Sequence, residues 1–452
     1  MHLRIISLFF YTTVIFYSEL ALPWIIASTT PSPCASKESQ RKDTRNYNSD
    51  FRYSFIQTSK SFSTILFPED PKNMVVSTYC YTAALYPLVL GMEGETKKSA
   101  LEFFNINNSD QDDHFNHYAT VAENLQKKRI LMHTSAVIID ESLEIHPKYE
   151  KKIKDLFGSM PSCHAWCETR RDISAQSFVD YINKTVQTKT NNAIPSLLTD
   201  TLDSDTTIVS LSVITLRATW PEYKIPLDKD ENFMFNGENC PGIIYSHTLG
   251  TRVSLEMGDD KKAVNWKVSI LPFEAKKTGV LLAMTDTDQG SLDKNKEMLK
   301  YFSFSDFEAQ IHQMNCQKLF DNQGIRVHVT LPKLKIETET HINKGTFKKT
   351  ADGLNHAFNP VTADFTGLSL RATPGSGFYI GNMMQKSILI IDEYGVEAAA
   401  ATISDMIGGG APPPYQEWKY NRPFKLYIYS CDGLKPIPLF EATIVTKPTH
   451  TP

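Results

Sequence analysis

Apolar residues recur at helical spacing from Phe51, through Phe55, Phe62, Ile65 and Leu66, and predict a first helix. Val75-Val76-Ser77 reads as a short buried strand. Thr82 to Met92, with Ala83, Ala84, Leu85, Leu88 and Leu90, predicts a buried helix ending at Gly91. Gly94-Glu95-Thr96 opens another helix with Thr96 as its N-cap. Asn105 to His117 is polar and acidic and predicts a loop. Lys127-Lys128-Arg129 closes the next helix with basic residues, which offset a helix C-terminus. Ser135 to Ile139 predicts a strand, and Tyr149 to Phe157 and Phe178 to Val186 predict amphipathic helices.

Thr207 to Leu216 is long, β-branched and apolar, as a central strand buried on both faces requires. A strand-rich middle follows at 233–235, 242–245, 268–271 and 279–284. Ser305 to Met314 predicts a helix, Val327 to Leu331 a strand and Gly345 to Asp352 a helix. Ser387 to Ile391 is an apolar run of strand type. Phe424–Tyr429 and Leu439–Val445 pair as a hairpin turning at Cys431-Asp432-Gly433.

Between the last apolar run and that hairpin the pattern breaks. Glu397-Ala398-Ala399-Ala400-Ala401 is strongly helix-forming by propensity. Counted by twos, however, Val396, Ala398, Ala400, Thr402, Ser404 and Met406 form a face without charge. The opposite face carries Glu397, Ala399, Ala401, Ile403 and Asp405. Gly408 to Gly410 and Pro412 to Pro414 end the segment. Two readings stand: a short surface helix with a Gly/Pro linker, or an exposed loop built to become a half-buried strand.

Composition narrows the class. The 452 residues are 41% hydrophobic with a formal net charge of −4, ordinary for a globular protein. That balance gives no nucleic-acid footprint. The N-terminus, with His2 and Arg4, an apolar run from Ile5 to Phe16 and small residues at Ala21 and Ala27-Ser28, predicts a secretory signal over residues 1–27. Residues 28–48 read as a disordered extension, and 49–452 as one domain without internal repeats. No later run is apolar enough to span a bilayer, so a secreted, extracellular protein without membrane attachment after signal cleavage is expected. Asn107-Asn108-Ser109 and Asn183-Lys184-Thr185 are glycosylation sequons.

The chemistry of catalysis is missing from the pattern. No phosphate loop, dinucleotide fingerprint, nucleophile elbow or zincin helix occurs, and no cofactor is implied. Seven cysteines, at 34, 80, 163, 167, 240, 316 and 431, leave at least one thiol unpaired within the chain. Cys163-His164-Ala165-Trp166-Cys167 lacks a second Cys/His pair at ligand spacing, so no metal is expected. His328, in an apolar strand, reads as a sheet residue rather than a base. The expectation is not an enzyme.

Several motifs, in one order along the chain, resemble the serpin family. Glu393-Tyr394-Gly395-Val396-Glu397 followed by Ala398, Ala399, Ala400, Ala401 and Thr402 is similar to the hinge of inhibitory serpins. Asn421-Arg422-Pro423-Phe424, Leu439-Phe440, Asn73 to Ser77 with Thr82 to Leu85, Thr215 to Trp220, Leu331-Pro332-Lys333-Leu334 and Asn359 to Leu368 resemble further family motifs. The likeness runs from about Phe51 to Pro448. It implies an α+β fold: one large domain with three β-sheets, eight to nine helices and an exposed reactive-centre loop at about 393–418. It also implies a monomeric protease inhibitor, whose loop is cleaved and then inserts into the central sheet as a new strand.

The departures from the family pattern are specific. Val396 stands where the family has Thr. At the shutter, Ser77-Thr78-Tyr79-Cys80 replaces Ser-Pro-x-Ser, Gln385 replaces a His and Ser212 replaces an Asn. Counting from Glu393 puts the scissile bond at Gly409-Gly410; counting back from Pro423 puts it near Pro412. No Lys or Arg lies between Gly395 and Tyr415, so elastase-, chymotrypsin- or subtilisin-like targets are expected rather than trypsin-like ones. A non-inhibitory carrier, storage or chaperone-like protein is the alternative.

Overall fold

A computed structural model describes residues 48–448, apart from 128–130, 157–164, 191, 193, 205, 217, 220–223, 227–232, 258–261, 274–277, 287–291, 311–324, 344, 350–352, 393–394, 397–415 and 432–435. The expected signal and extension therefore lie almost wholly outside the described residues. In chain order the first half runs α1 (Asn48–Leu66), β1 (Met74–Val76), α2 (Thr78–Val89), α3 (Gly94–Phe103), α4 (Gln111–Lys127), β2 (Leu131–Asp140), α5 (Pro147–Leu156), β3 (Ala165–Arg170), α6 (Gln176–Lys189), β4 (Ile208–Leu216), β5 (Ala218–Thr219), β6 (Lys224–Pro226), β7 (Phe233–Phe235), β8 (Glu238–Cys240) and β9 (Gly242–Met257). The second runs β10 (Lys262–Pro272), β11 (Thr278–Thr285), α7 (Leu292–Met298), α8 (Phe304–Gln310), β12 (Ile325–Pro332), β13 (Leu334–Ile342), β14 (Ile380–Ile391), β15 (Gly395–Val396), β16 (Gln416–Lys419), β17 (Phe424–Ser430) and β18 (Ile437–Ile444).

Two large sheets organise these elements. A five-stranded sheet has the order β13-β14-β4-β2-β3. A nine-stranded sheet has the order β1-β18-β17-β11-β10-β9-β12-β16, with β6 also on β9. The nine-stranded sheet is two of the three expected sheets run together. Residues from Gly242 to Gly250 of β9 pair with β12, and residues from Leu249 to Met257 pair with β10, so one strand serves both ladders. β11, β17 and β18 are buried at every residue, which is why they read as continuous apolar runs. Residues 46–452 form one unit.

Three apolar cores hold the sheets to their helices. The largest joins α1, α2, α3 and α4 to the nine-stranded sheet. A second seats Leu299, Phe302, Phe304 and Phe307 against Trp266 and Tyr427. The third packs Phe178, Val179, Ile182 and Val186 of α6, with Ile194, Leu197 and Leu198, onto Ile138, Val209, Leu211, Val213 and Met384 of the five-stranded sheet.

Some local expectations fail for physical reasons. The predicted loop at Asn105 to His117 is a 3-10 turn at Asn108–Asp110 followed directly by α4. Asp112 and Asp113 favour the helix N-terminus electrostatically, and His114, Phe115, Tyr118 and Ala119 form its buried face. His114 is used there as a core residue. Its ring centroid lies 4.7 Å from that of Phe51 with the planes tilted by 54°, and its Nε2 meets Tyr86 Oη at 2.7 Å. Burial, then the neighbouring His117, holds its pKa down at about 3. Burial, then the charge of Arg52, holds His117 at about 4. Thr96 is not an N-cap: α3 begins at Gly94, and Thr96 Oγ1 instead donates to Thr362 O at 3.2 Å and accepts the Asp364 N–H at 3.0 Å. The described part of Gly345 to Asp352 holds a 3-10 turn, Thr346–Lys349, rather than an α-helix.

Candidate functional site: the parting strands and their fastening

β14 and β4 are parallel neighbours in the five-stranded sheet, paired from Ile380↔Ile208 to Ser387↔Ile214. β14 then continues to Ile391, still paired with β13 up to Leu334↔Ile391. Among the described residues, Ile388 to Ile391 pair on the β13 side alone. The Asp392 carbonyl accepts the Tyr245 hydroxyl at 3.3 Å. Gly395 pairs with Thr219 and Val396 with Ala218, antiparallel, which joins β15 to β5. Gly395 and Val396 thus form with Ala218 and Thr219 a two-stranded ladder separate from the five-stranded sheet.

Of the hinge residues named from the sequence, Gly395 and Val396 are placed. Glu393, Glu397, Ala398, Ala399, Ala400, Ala401 and Thr402 lie outside the described residues, as do Gly409 and Gly410. β16 pairs parallel with β12 from Val327↔Gln416 to Thr330↔Lys419. Trp418 is buried there against Gly250, where a Cβ would lie 2.5 Å from the indole, so that position admits only glycine.

Lower in the sheet, Ser77, Cys80, Ser212 and Gln385 converge. Gln385 of β14 stands beside Ser212 of β4 and is fully buried. Its Oε1 accepts the Ser77 N–H at 2.8 Å, and its Nε2 donates to Ser77 O at 2.7 Å. Ser387 Oγ donates to the same Oε1 at 2.9 Å. Ser77 Oγ accepts the Cys80 N–H at 3.2 Å as the N-cap of α2 and donates to Leu439 O at 2.7 Å.

On β13, Thr340 Oγ1 meets Tyr81 Oη at 2.6 Å, and Thr338 Oγ1 accepts the Val75 N–H at 2.9 Å. Sequence reasoning missed these threonines and Ser387. Their signal was present: Thr338 and Thr340 share one face of a strand, two residues apart.

The β4 side is fastened less. Ser212 Oγ makes no hydrogen bond of normal geometry, and the polar group beside it is the Cys80 thiol. Burial pushes that thiol up to about 12, with Ser212 and Ser77 pulling weakly the other way, so it stays protonated. Ser210 Oγ donates to Ala84 O at 3.2 Å. The remaining named residues lie elsewhere. Asn107 caps an exposed 3-10 turn, and Asn183 lies within α6. Cys163 and His164 are outside the described residues, and Cys167 is in β3.

Comparison with known proteins meets this geometry. A family model described as "Serpin (serine protease inhibitor)" matches residues 57–440. Serpin B10 of Otolemur garnettii is 23% identical over 381 residues, covering 79% of this chain and 89% of that protein. Native protease nexin-1, solved with heparin, superposes with a TM-score of 0.65 at 19% identity, over 88% of this chain and 98% of that one. Thyroxine-binding globulin in complex with thyroxine superposes with a TM-score of 0.61 at 18% identity, over 89% and 98%.

Proposed function

Because the chain belongs to the serpin family, we propose that it is a secreted inhibitor of serine-type endopeptidases that acts by loop cleavage and strand insertion. The observation that carries this reading is the seating of Gly395 and Val396 on Ala218 and Thr219, above a ladder that β14 and β4 have already left open. The loop that follows presents an uncharged alternate face at Ala398, Ala400 and Thr402, suited to burial as a middle strand. Once a protease cuts the loop, its N-terminal arm is free to leave β16 behind. It then fills the gap with backbone hydrogen bonds and apolar burial. The uncut state is held kinetically.

Gly409-Gly410 is the proposed scissile bond. The absence of Lys and Arg between Gly395 and Tyr415 directs the proposal to elastase-, chymotrypsin- or subtilisin-like proteases. The apolar run behind His2 and Arg4 supports secretion. A second reading, a non-inhibitory carrier, storage or chaperone-like binding protein, is favoured by glycines at the cut position and by Gln385 and Ser212 in the shutter.

Incubation with elastase- and chymotrypsin-like proteases, followed by denaturing gels, tests the first reading. A covalent band at the summed mass is expected. In parallel, Ala400→Arg puts a charge on the buried face and is expected to be cut without forming that band. Cleavage by every protease tried, with no covalent band and no gain in heat stability, would leave the second reading standing.

A further inference from the structure

Two sequons of the same form stand in the chain, and the fold treats them differently. Asn183 lies in the middle of α6. Its Oδ1 accepts the N–H groups of Leu197 at 2.7 Å and Leu198 at 2.9 Å. Its Nδ2 donates to Leu198 O at 2.8 Å. Leu197 and Leu198 are buried in the core that seats α6 on the five-stranded sheet. A secondary amide is trans, which places the substituent on nitrogen on the same side as the carbonyl oxygen. A sugar on Asn183 would therefore project toward the side from which two backbone N–H groups approach Oδ1. It would either displace the 197–198 segment or leave its buried amides without partners, at about 1–3 kcal/mol each.

Asn107 has the opposite surroundings. It is exposed, as are Asn108 and Ser109. It sits in an extended conformation (φ −72, ψ 140) ahead of a 3-10 turn, and its side chain makes no capping hydrogen bond. Its carbonyl accepts the Asp110 N–H at 3.0 Å, so the turn is held by the backbone and not by the amide. Beside it an open groove of about 680 Å³, lined by Lys97, Lys98, Asn108 and Gln111 among others, leaves room for a sugar.

We propose that Asn107 carries the N-linked glycan, and that Asn183 stays bare and clasps α6 to the segment at 197–198. The proposal rests on the secretion reading, since the glycan is transferred along the secretory route. The test uses the full chain made in a glycosylating eukaryotic cell, once with residues 1–27 intact and once with them replaced by an established secretory leader. Enzymatic deglycosylation in heavy-oxygen water, followed by peptide mass mapping, marks each occupied asparagine.

With the replaced leader, label at Asn107 and none at Asn183 is expected, and Asn107→Gln should remove a single glycan. Asn183→Gln should keep the glycan and lower the thermal midpoint by a few degrees. Label at Asn183 in the folded secreted protein, or a bare Asn107 in it, overturns the assignment. An unchanged midpoint in Asn183→Gln overturns the clasp. If Asn107 is labelled with the replaced leader but not with the native one, the secretion reading falls and the site assignment stands.

Discussion

β14 and β4 flank the same gap, yet they are held in different ways. β14 is fastened to the start of α2 by the buried amide of Gln385, which meets both backbone groups of Ser77. Its neighbour β13 is fastened by Thr338 and Thr340. β4 has one hydroxyl on α2, from Ser210, while that of Ser212 is left unspent. A parting of these strands therefore costs least if β13 and β14 stay with α2 and the leaf of β4, β2 and β3 slides. That leaf also carries most of the surface on which α6 rests.

Removing the strong fastening should have the largest effect on this contrast. Gln385→Ala strips both Ser77 backbone groups of their partner in a dry site, at about 1–3 kcal/mol per bare group. The urea midpoint should fall, and conversion of the uncut protein to a heat-stable inserted form should quicken. An unchanged midpoint would mean that β14 is held by packing alone.

A smaller effect concerns pH and separates the fastening from the rest of the fold. Gln385, Ser77 and the threonines do not titrate, and the Cys80 thiol stays protonated. Buried His114 and half-buried His117 lie elsewhere, on α4, with Phe51 against both rings, Tyr86 on His114 and the charge of Arg52 near His117. Their folded pKa values, about 3 for His114 and about 4 for His117, lie below the unfolded value near 6.5. The unfolded chain then binds more protons below about pH 6.5, so stability contributed by the neutral rings is present above that pH and is lost as pH falls toward 4. His114→Gln keeps an acceptor for Tyr86 and removes the larger titration. It should remove about half of the slope in urea midpoints measured from pH 7 to pH 4, the rest belonging to His117. A slope left intact would place the titrating groups elsewhere.

The smallest effect is on β4. Ser212→Ala removes a buried hydroxyl that makes no hydrogen bond of normal geometry, so it should not lower stability measurably. A loss comparable to that of Gln385→Ala would erase the contrast between the two strands.

Much of this architecture was legible from the chain. The apolar runs at Thr207 to Leu216 and Ser387 to Ile391 marked the two flanking strands: β4 is buried on both faces from Ile208 to Ile214, and β14 alternates between buried and half-buried residues over 387–391. Parity at 396–406 pointed to a segment with a face fit for burial. α4 was hidden because its core face is carried by His114, Phe115 and Tyr118 among acids, so composition outweighed periodicity. The pairing of Val396 with Ala218 had no local signal, since register across about 180 residues is decided by the closed fold. Nor could spacing distinguish the two sequons. Their difference lies in Leu197 and Leu198, whose backbone groups reach Asn183 only after α6 folds back on them.

The strand shared between two ladders, Gly242–Met257, also has a kinetic meaning. Its amides sit in a continuous hydrogen-bonded frame that cannot be divided without opening both ladders. In hydrogen exchange that frame should appear as one slow cooperative block, while Ile388 to Ile391 and the β4 edge exchange through local openings. On the proposed mechanism such a protein would keep its clock and its casing in separate parts: the five-stranded sheet would measure out the lifetime of the uncut form, and the frame would outlast the change.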